Sequence, residues 1–111
     1  MDIKEIVKIQ EDFTKKAFPK FWEIKNEEDF YNRLLFLSVA LSGEVGEFNN
    51  IVKKIYRSKF FKEENLDLKE KLNEEFIDIF IYLLNIAILL EIDIEKEFLR
   101  KLEINKNRFL K

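Results

Sequence analysis

The sequence predicts an all-α fold, and three observations carry that expectation. Its 111 residues include only two Gly and one Pro, too few to punctuate a sheet protein with many turns. Hydrophobic residues make up 47% and charged residues 38%, the mixture of long helices with one apolar and one solvated face. Helix-start signals also recur along the chain, each an Asn or Asp placed ahead of an apolar run. The length suits one domain with its own core, so residues 1–111 are read as a single four-helix bundle.

A first helix is expected from Ile3 to about Phe18, where Ile3, Ile6, Val7, Ile9, Phe13 and Phe18 form an apolar stripe that Pro19 ends. Pro19 to Asn26 is a linker carrying Phe21 and Trp22. Asn26 with Asp29 three residues later resembles a capping box for a second helix running to about Arg57. The middle of that helix, Leu34 to Leu41, is nearly all apolar. Ser42, Gly43 and Gly46 then thin the side chains, and each glycine costs roughly 1 kcal/mol of helix propensity. Thin side chains there suit close approach of a ligand or helix, or a kink.

Ser58 to Asn65 is expected to be a charged, aromatic connection. Asp67 and Glu70 give a second capping-box signal for a third helix reaching about Glu91. From Phe76 to Leu90 only Asp78, Tyr82 and Asn85 interrupt its apolar residues, so this helix should be buried on nearly all sides. One small bundle cannot cover it, and the bundle is expected to oligomerise through its buried helices as a homodimer or homotetramer. Asp93 is expected to cap a fourth helix from Ile94 to about Phe109.

Composition narrows the function classes. A formal net charge of −2 with both signs interspersed provides no basic field for nucleic acid. The apolar run of the third helix is shorter than the roughly 20 residues of a membrane span and contains Asp78 and Asn85. No cysteine is present, and the start Met1-Asp2-Ile3-Lys4-Glu5 lacks the regions of a signal peptide, so a cytoplasmic location is the expectation. The richness in Lys, Glu, Ile and Phe fits a thermophilic source or an A+T-rich genome equally.

Chemistry enters with two carboxylate pairs, Glu44-Val45-Gly46-Glu47 and Glu75-Phe76-Ile77-Asp78, set in otherwise apolar helical sequence. A spacing of three leaves the members of each pair about 60° apart on one helix face. Carboxylates packed together repel and raise each other's pKa, and a hard, oxygen-preferring divalent ion such as Mg²⁺ or Mn²⁺ resolves the repulsion. Of the adjacent acids Glu74 and Glu75, only Glu75 has an acid three residues on, so Glu75 is the expected ligand.

The two pairs, with 27 residues between them, resemble the EXXE…EXXD signature of the MazG-like all-α nucleotide pyrophosphohydrolases. Leu41-Ser42-Gly43-Glu44-Val45-Gly46-Glu47-Phe48 is similar to that family's L-x-x-E-V-G-E-L segment. Glu74-Glu75-Phe76-Ile77-Asp78-Ile79-Phe80-Ile81-Tyr82-Leu83-Leu84 is similar to E-E-L-x-D-V-L-x-Y-L-L. Ile92-Asp93-Ile94-Glu95, then Lys101 through Asn105 to Arg108 and Phe109, resembles the ending I-D-L-E…K-x-x-x-N-x-x-R-Y/F. The likeness spans about Leu34 to Phe109.

The resemblance implies conversion of nucleoside triphosphates to monophosphates and pyrophosphate, with Mg²⁺, or Mn²⁺ in its place, held by Glu44, Glu47, Glu75 and Asp78. Glu44 or Glu47 would also accept a proton from the attacking water. Lys101, Asn105 and Arg108 share one face of the fourth helix and would hold phosphate oxygens, with a hydrogen bond from Tyr82. Trp22 would bind the base. The chain departs from the pattern at Val52-Lys53-Lys54-Ile55, where the dCTP-cleaving members carry a stacking aromatic residue, and it contains none of the family's pocket histidine. Substrate preference is thus open among dCTP-like, dUTP-like and damaged nucleotides. A di-iron carboxylate bundle is excluded by the absence of histidine. A non-catalytic helical interaction module stapled by metal is the alternative that keeps the same acids.

Overall fold

The computed structural model describes residues 1–61 and 67–110. These residues form four helices, α1 (Ile3–Ala17), α2 (Glu27–Phe60), α3 (Lys69–Leu90) and α4 (Ile94–Phe109), and contain no strand. The all-α expectation holds for them. The expected connection from Ser58 to Asn65 is displaced, because α2 continues through Ser58 to Phe60; residues 62–65 of it lie outside the described residues.

Three of the four helix starts follow from side-chain chemistry. Asp2, Asn26 and Asp93 each accept a hydrogen bond from the backbone N–H three residues on, at 2.9, 2.8 and 3.1 Å, tying down one free donor of α1, α2 and α4. Asp29 reaches back to accept from the N–H of Lys25 at 3.0 Å. The start of α3 differs from the capping-box expectation. Leu68 occupies its cap position without a side-chain bond, and Asp67 instead accepts weakly from the N–H of Lys69 at 3.3 Å. Asp67 stands one position too early to cap the helix that forms.

Helices α2 and α3 make the principal packing pair, α1 lies on α3, and α4 lies on α1. Phe36 and Leu37 of α2 meet Ile81 and Tyr82 of α3, whereas Glu44 meets Glu75 and Asp78, so the two helices run antiparallel. Helix α1 also runs against α3, with Gln10 bonded to Asn85 and its start beside Ile92. The core is small: Leu37, Ile51, Leu84, Ala87 and Leu89 are buried, together with Thr14 and Asn85.

The expectation that α3 is buried on nearly all sides fails for a single chain. Phe76, Ile77 and Leu83 are 60%, 48% and 48% exposed. On α2, Tyr31, Leu35 and Val39 form one stripe at spacing four and Val52, Tyr56 and Phe60 another, each residue between 43% and 64% exposed. The radius of gyration is 17.8 Å, against roughly 13 Å for a compact domain of this length. One chain therefore leaves long apolar faces of its two main helices in water.

Candidate metal centre

The site sits between α2 and α3. Glu44 projects from α2, while Glu75 and Asp78, three apart, share one face of α3. One carboxylate oxygen from each lies within 4.8 Å of the other two, and all three residues are half-buried. Gly43 and Gly46 flank Glu44 on the open side of α2, and a Cβ added at either would meet nothing within 4 Å. The glycines are thus not needed for packing inside one chain; they leave the approach to Glu44 unobstructed.

Electrostatics disfavour full ionisation of this cluster. Glu44 Oε2 and Glu75 Oε2 are buried and have no hydrogen-bond partner among the described residues. Burial pushes the Glu44 carboxyl above the ordinary carboxylate range, with further upward contributions from Glu47, Asp78 and Glu75. Glu75 is raised in the same way, by burial first and then by Glu47 and Asp78, while Lys71 one turn earlier acts against the rise. A buried carboxylate oxygen left unpaired is costly, and a cation or a proton is what relieves it.

The donor set fits a hard divalent ion. All donors are carboxylate oxygens, with no imidazole or thiolate, which matches Mg²⁺ or Mn²⁺ and not a zinc or iron–sulfur site. Glu44, Glu75 and Asp78 are the residues that would hold such an ion. The fourth predicted ligand, Glu47, is exposed and stands beside Glu44 and Glu75 without joining the group of three. Glu75 and not Glu74 is grouped with Glu44; Glu74 lines a shallow groove with Glu70, Asn73, Ile77 and Asp78.

One turn beyond Asp78 the same face of α3 opens into a cleft of about 290 Å³, lined mainly by Gln10, Phe13, Thr14, Phe18, Phe21, Phe36, Tyr82 and Asn85. Tyr82 is therefore placed between the acids and this cleft. Trp22 is not in its lining. Its Nε1 donates to Thr14 Oγ1 at 3.0 Å and its ring meets Phe21 edge-on at 5.3 Å, which makes it a support behind the wall. Phe21 is itself fixed by Arg33, whose Nε donates to the Phe21 carbonyl and whose guanidinium lies 5.5 Å from the ring centre.

The expected phosphate residues are not brought to the acids by one chain. Helix α4 packs mainly on α1 and makes no comparable contact with α2 or α3. Lys101 and Arg108 are exposed, Asn105 is half-buried, and the Arg108 guanidinium lies over the adjacent Phe109 ring at 5.0 Å. Sequence reasoning also passed over Gln10, Thr14 and Asn85. The signal for Asn85 was its step of seven from Asp78 through Tyr82, which keeps all three on one helix face. Compared with known proteins, the chain matches no family model, and no curated protein or solved structure is significantly similar to it.

Proposed function

We propose that the chain is a Mg²⁺-dependent nucleoside triphosphate pyrophosphohydrolase of the MazG-like type, cleaving (d)NTP to (d)NMP and pyrophosphate as a housecleaning activity on surplus or non-standard nucleotides. The observation that carries this reading is the meeting of Glu44 with Glu75 and Asp78, where one buried oxygen each of Glu44 and Glu75 has no hydrogen-bond partner among the described residues. The motif order in the sequence, and the aromatic cleft one helical turn from the acids, support it further.

In this reading Glu44, Glu75 and Asp78 would hold the metal between α2 and α3, and the ion would supply charge neutralisation at the triphosphate and a more acidic water. Hydrolysis adds water at the α-phosphorus while the bond to the bridging oxygen of the β-phosphate breaks, and pyrophosphate leaves. Glu47, exposed at the rim beside Glu44 and Glu75, or Glu44 itself would take the water's proton. Tyr82, one turn from Asp78 and in the lining of the aromatic cleft, would donate to the sugar or α-phosphate, and the cleft beyond would receive the base.

The exposed stripes on α2 and α3 support a homodimer or homotetramer in which these faces meet. Phosphate binding by Lys101, Asn105 and Arg108 then belongs to the oligomer, where α4 of one copy reaches the acids of another. The placement of α4 also gives the alternative its one supporting observation, since a non-catalytic module stapled by metal would need no phosphate ligands.

Product analysis separates the two. Ion-exchange chromatography after incubation with each common NTP and dNTP plus Mg²⁺ should show monophosphate and pyrophosphate from a subset. Asp78→Asn removes one ligand charge at nearly constant shape and should lower kcat by about two orders of magnitude or more while the helical content is kept. Full activity in that variant would overturn the site; no turnover by the wild-type protein with any of them would favour the module.

A further inference from the structure

The C-terminal end of α2 is basic in a chain that is acidic as a whole. Between Phe48 and Phe61 lie Lys53, Lys54, Arg57 and Lys59 and no acid, although the chain is net −2. None of the four cations joins an ion pair among the described residues. Tyr56, Phe60 and Phe61 stand among them, each more than half exposed. Their rings cluster, Tyr56 lying 4.8 Å from Phe60 and 6.0 Å from Phe61. The proposed hydrolysis uses none of these residues.

We infer that this end of α2 docks on an anionic lipid surface, with Tyr56, Phe60 and Phe61 entering the headgroup layer and the four cations holding lipid phosphates and carboxylates around them. At about 100° per residue, Val52, Tyr56 and Phe60 form a stripe about 80° wide, and Lys53 and Lys59 flank Tyr56 at about 60° on either side. Buried Ile51 lies about 140° from Tyr56, so the stripe faces away from the core. An apolar stripe edged by Lys and Arg is the pattern of helices that lie in a membrane interface, where the long basic side chains keep their charge among the headgroups while the rings sink past them. No helix among the described residues is long and apolar enough to cross a membrane, so the contact is a surface one. With 34 residues α2 is about 51 Å long, nearly the 53 Å of the molecule's longest dimension, which puts its last turns at an edge that a flat surface can reach. The acids of the metal centre do not cancel this charge. From Glu47 the helix rises about 9 Å to Lys53 and about 18 Å to Lys59, against a screening length of roughly 8 Å at physiological salt.

Two other occupants fit less well. A second copy meeting this end about a two-fold axis would bring the same four cations together. The Leu35 stripe suits self-association better, since Arg33 is the one cation between Tyr31 and Ser42 and is bonded to the Phe21 carbonyl. Single-stranded nucleic acid needs ring faces laid open to successive bases, whereas the Tyr56 ring is tilted 41° and 55° against its two neighbours in one cluster.

Flotation of the full chain with phosphatidylcholine vesicles, with and without about 30% phosphatidylserine, in chelator and about 0.1 M salt, tests the inference. The anionic vesicles should bind the protein at least tenfold more tightly than the neutral ones, and about 0.5 M salt should remove most of that difference. The double variant Lys53→Gln, Arg57→Gln should lose tenfold or more on anionic vesicles, and Phe60→Ser should lose a similar factor. Lys53 and Arg57 are exposed, so the charge variant decides the matter should Phe60→Ser lose its helical circular dichroism. No binding by the wild type, or undiminished binding by the charge variant, overturns the proposal. A folded Phe60→Ser protein that sediments as a smaller species overturns it as well, giving the stripe to a second copy. So does tighter binding of an oligo-dT strand than of vesicles at matched anionic charge, which would give this end to nucleic acid.

Discussion

Glu44 and Glu75 each hold a buried oxygen with no hydrogen-bond partner among the described residues, and burial first, then the acids around them, push both carboxyls upward. That has a pH signature. In the metal-free protein the folded state binds more protons than the unfolded state between the ordinary carboxylate pKa and the raised one, so stability falls as pH rises through that window. Below the ordinary value both states are protonated and the penalty vanishes. Glu44→Gln removes the charge, and in chelator it should melt higher than wild type near neutral pH, with the gain shrinking toward about pH 4. Thermal melts followed by circular dichroism check this, and Mg²⁺ should reverse the order by stabilising only the wild type. A difference in Tm that does not change with pH would mean the acids are not coupled as placed here.

The end of α3 is the clearest prediction at the level of elements. Glu91 terminates the helix with φ 54°, and its N–H and that of Ile92 close back on Ala87 and Ile88. This is the left-handed closure that glycine adopts without strain, and a side chain there costs about 1 kcal/mol or more. Glu91→Gly should accordingly raise stability by about 0.5–1 kcal/mol, measured by urea denaturation, since the glycine's extra freedom in the unfolded chain offsets part of the relief. At the N-termini of α1, α2 and α4 the caps are supplied directly by Asp2, Asn26 and Asp93.

At the level of the whole molecule, the described residues bury five apolar side chains while apolar stripes of α2 and α3 remain in water. Sedimentation should show at least a dimer, and Leu35→Glu, on the exposed stripe of α2, should shift it toward monomer. A monomeric wild type would overturn the oligomer. The placement of α4 adds a sharper test: Lys101→Ala and Asp78→Asn, each inactive alone, should regain turnover when unfolded and refolded together, because a mixed oligomer joins an intact α4 to an intact acid set. No recovery would return Lys101 to its own chain's site or remove it from catalysis.

The sequence by itself determined the helices and the identity of the acids. Both are local matters: caps act within three residues, apolar periodicity acts within a turn, and a spacing of three puts Glu75 and Asp78 on one face wherever the helix goes. The late start of α3 escaped because Asp67 and Glu70 satisfy the capping spacing as written, and only the folded backbone shows the helix beginning at Lys69. What the tertiary structure decided was proximity. It selected Glu44 as the α2 acid grouped with Glu75 and Asp78, left Glu47 at the rim, moved Trp22 behind the wall of the cleft and set α4 apart from the acids. It also paired Gln10 with Asn85 across 75 positions of sequence. Such contacts depend on how whole helices cross, and no local pattern encodes the angle at which α1 meets α3.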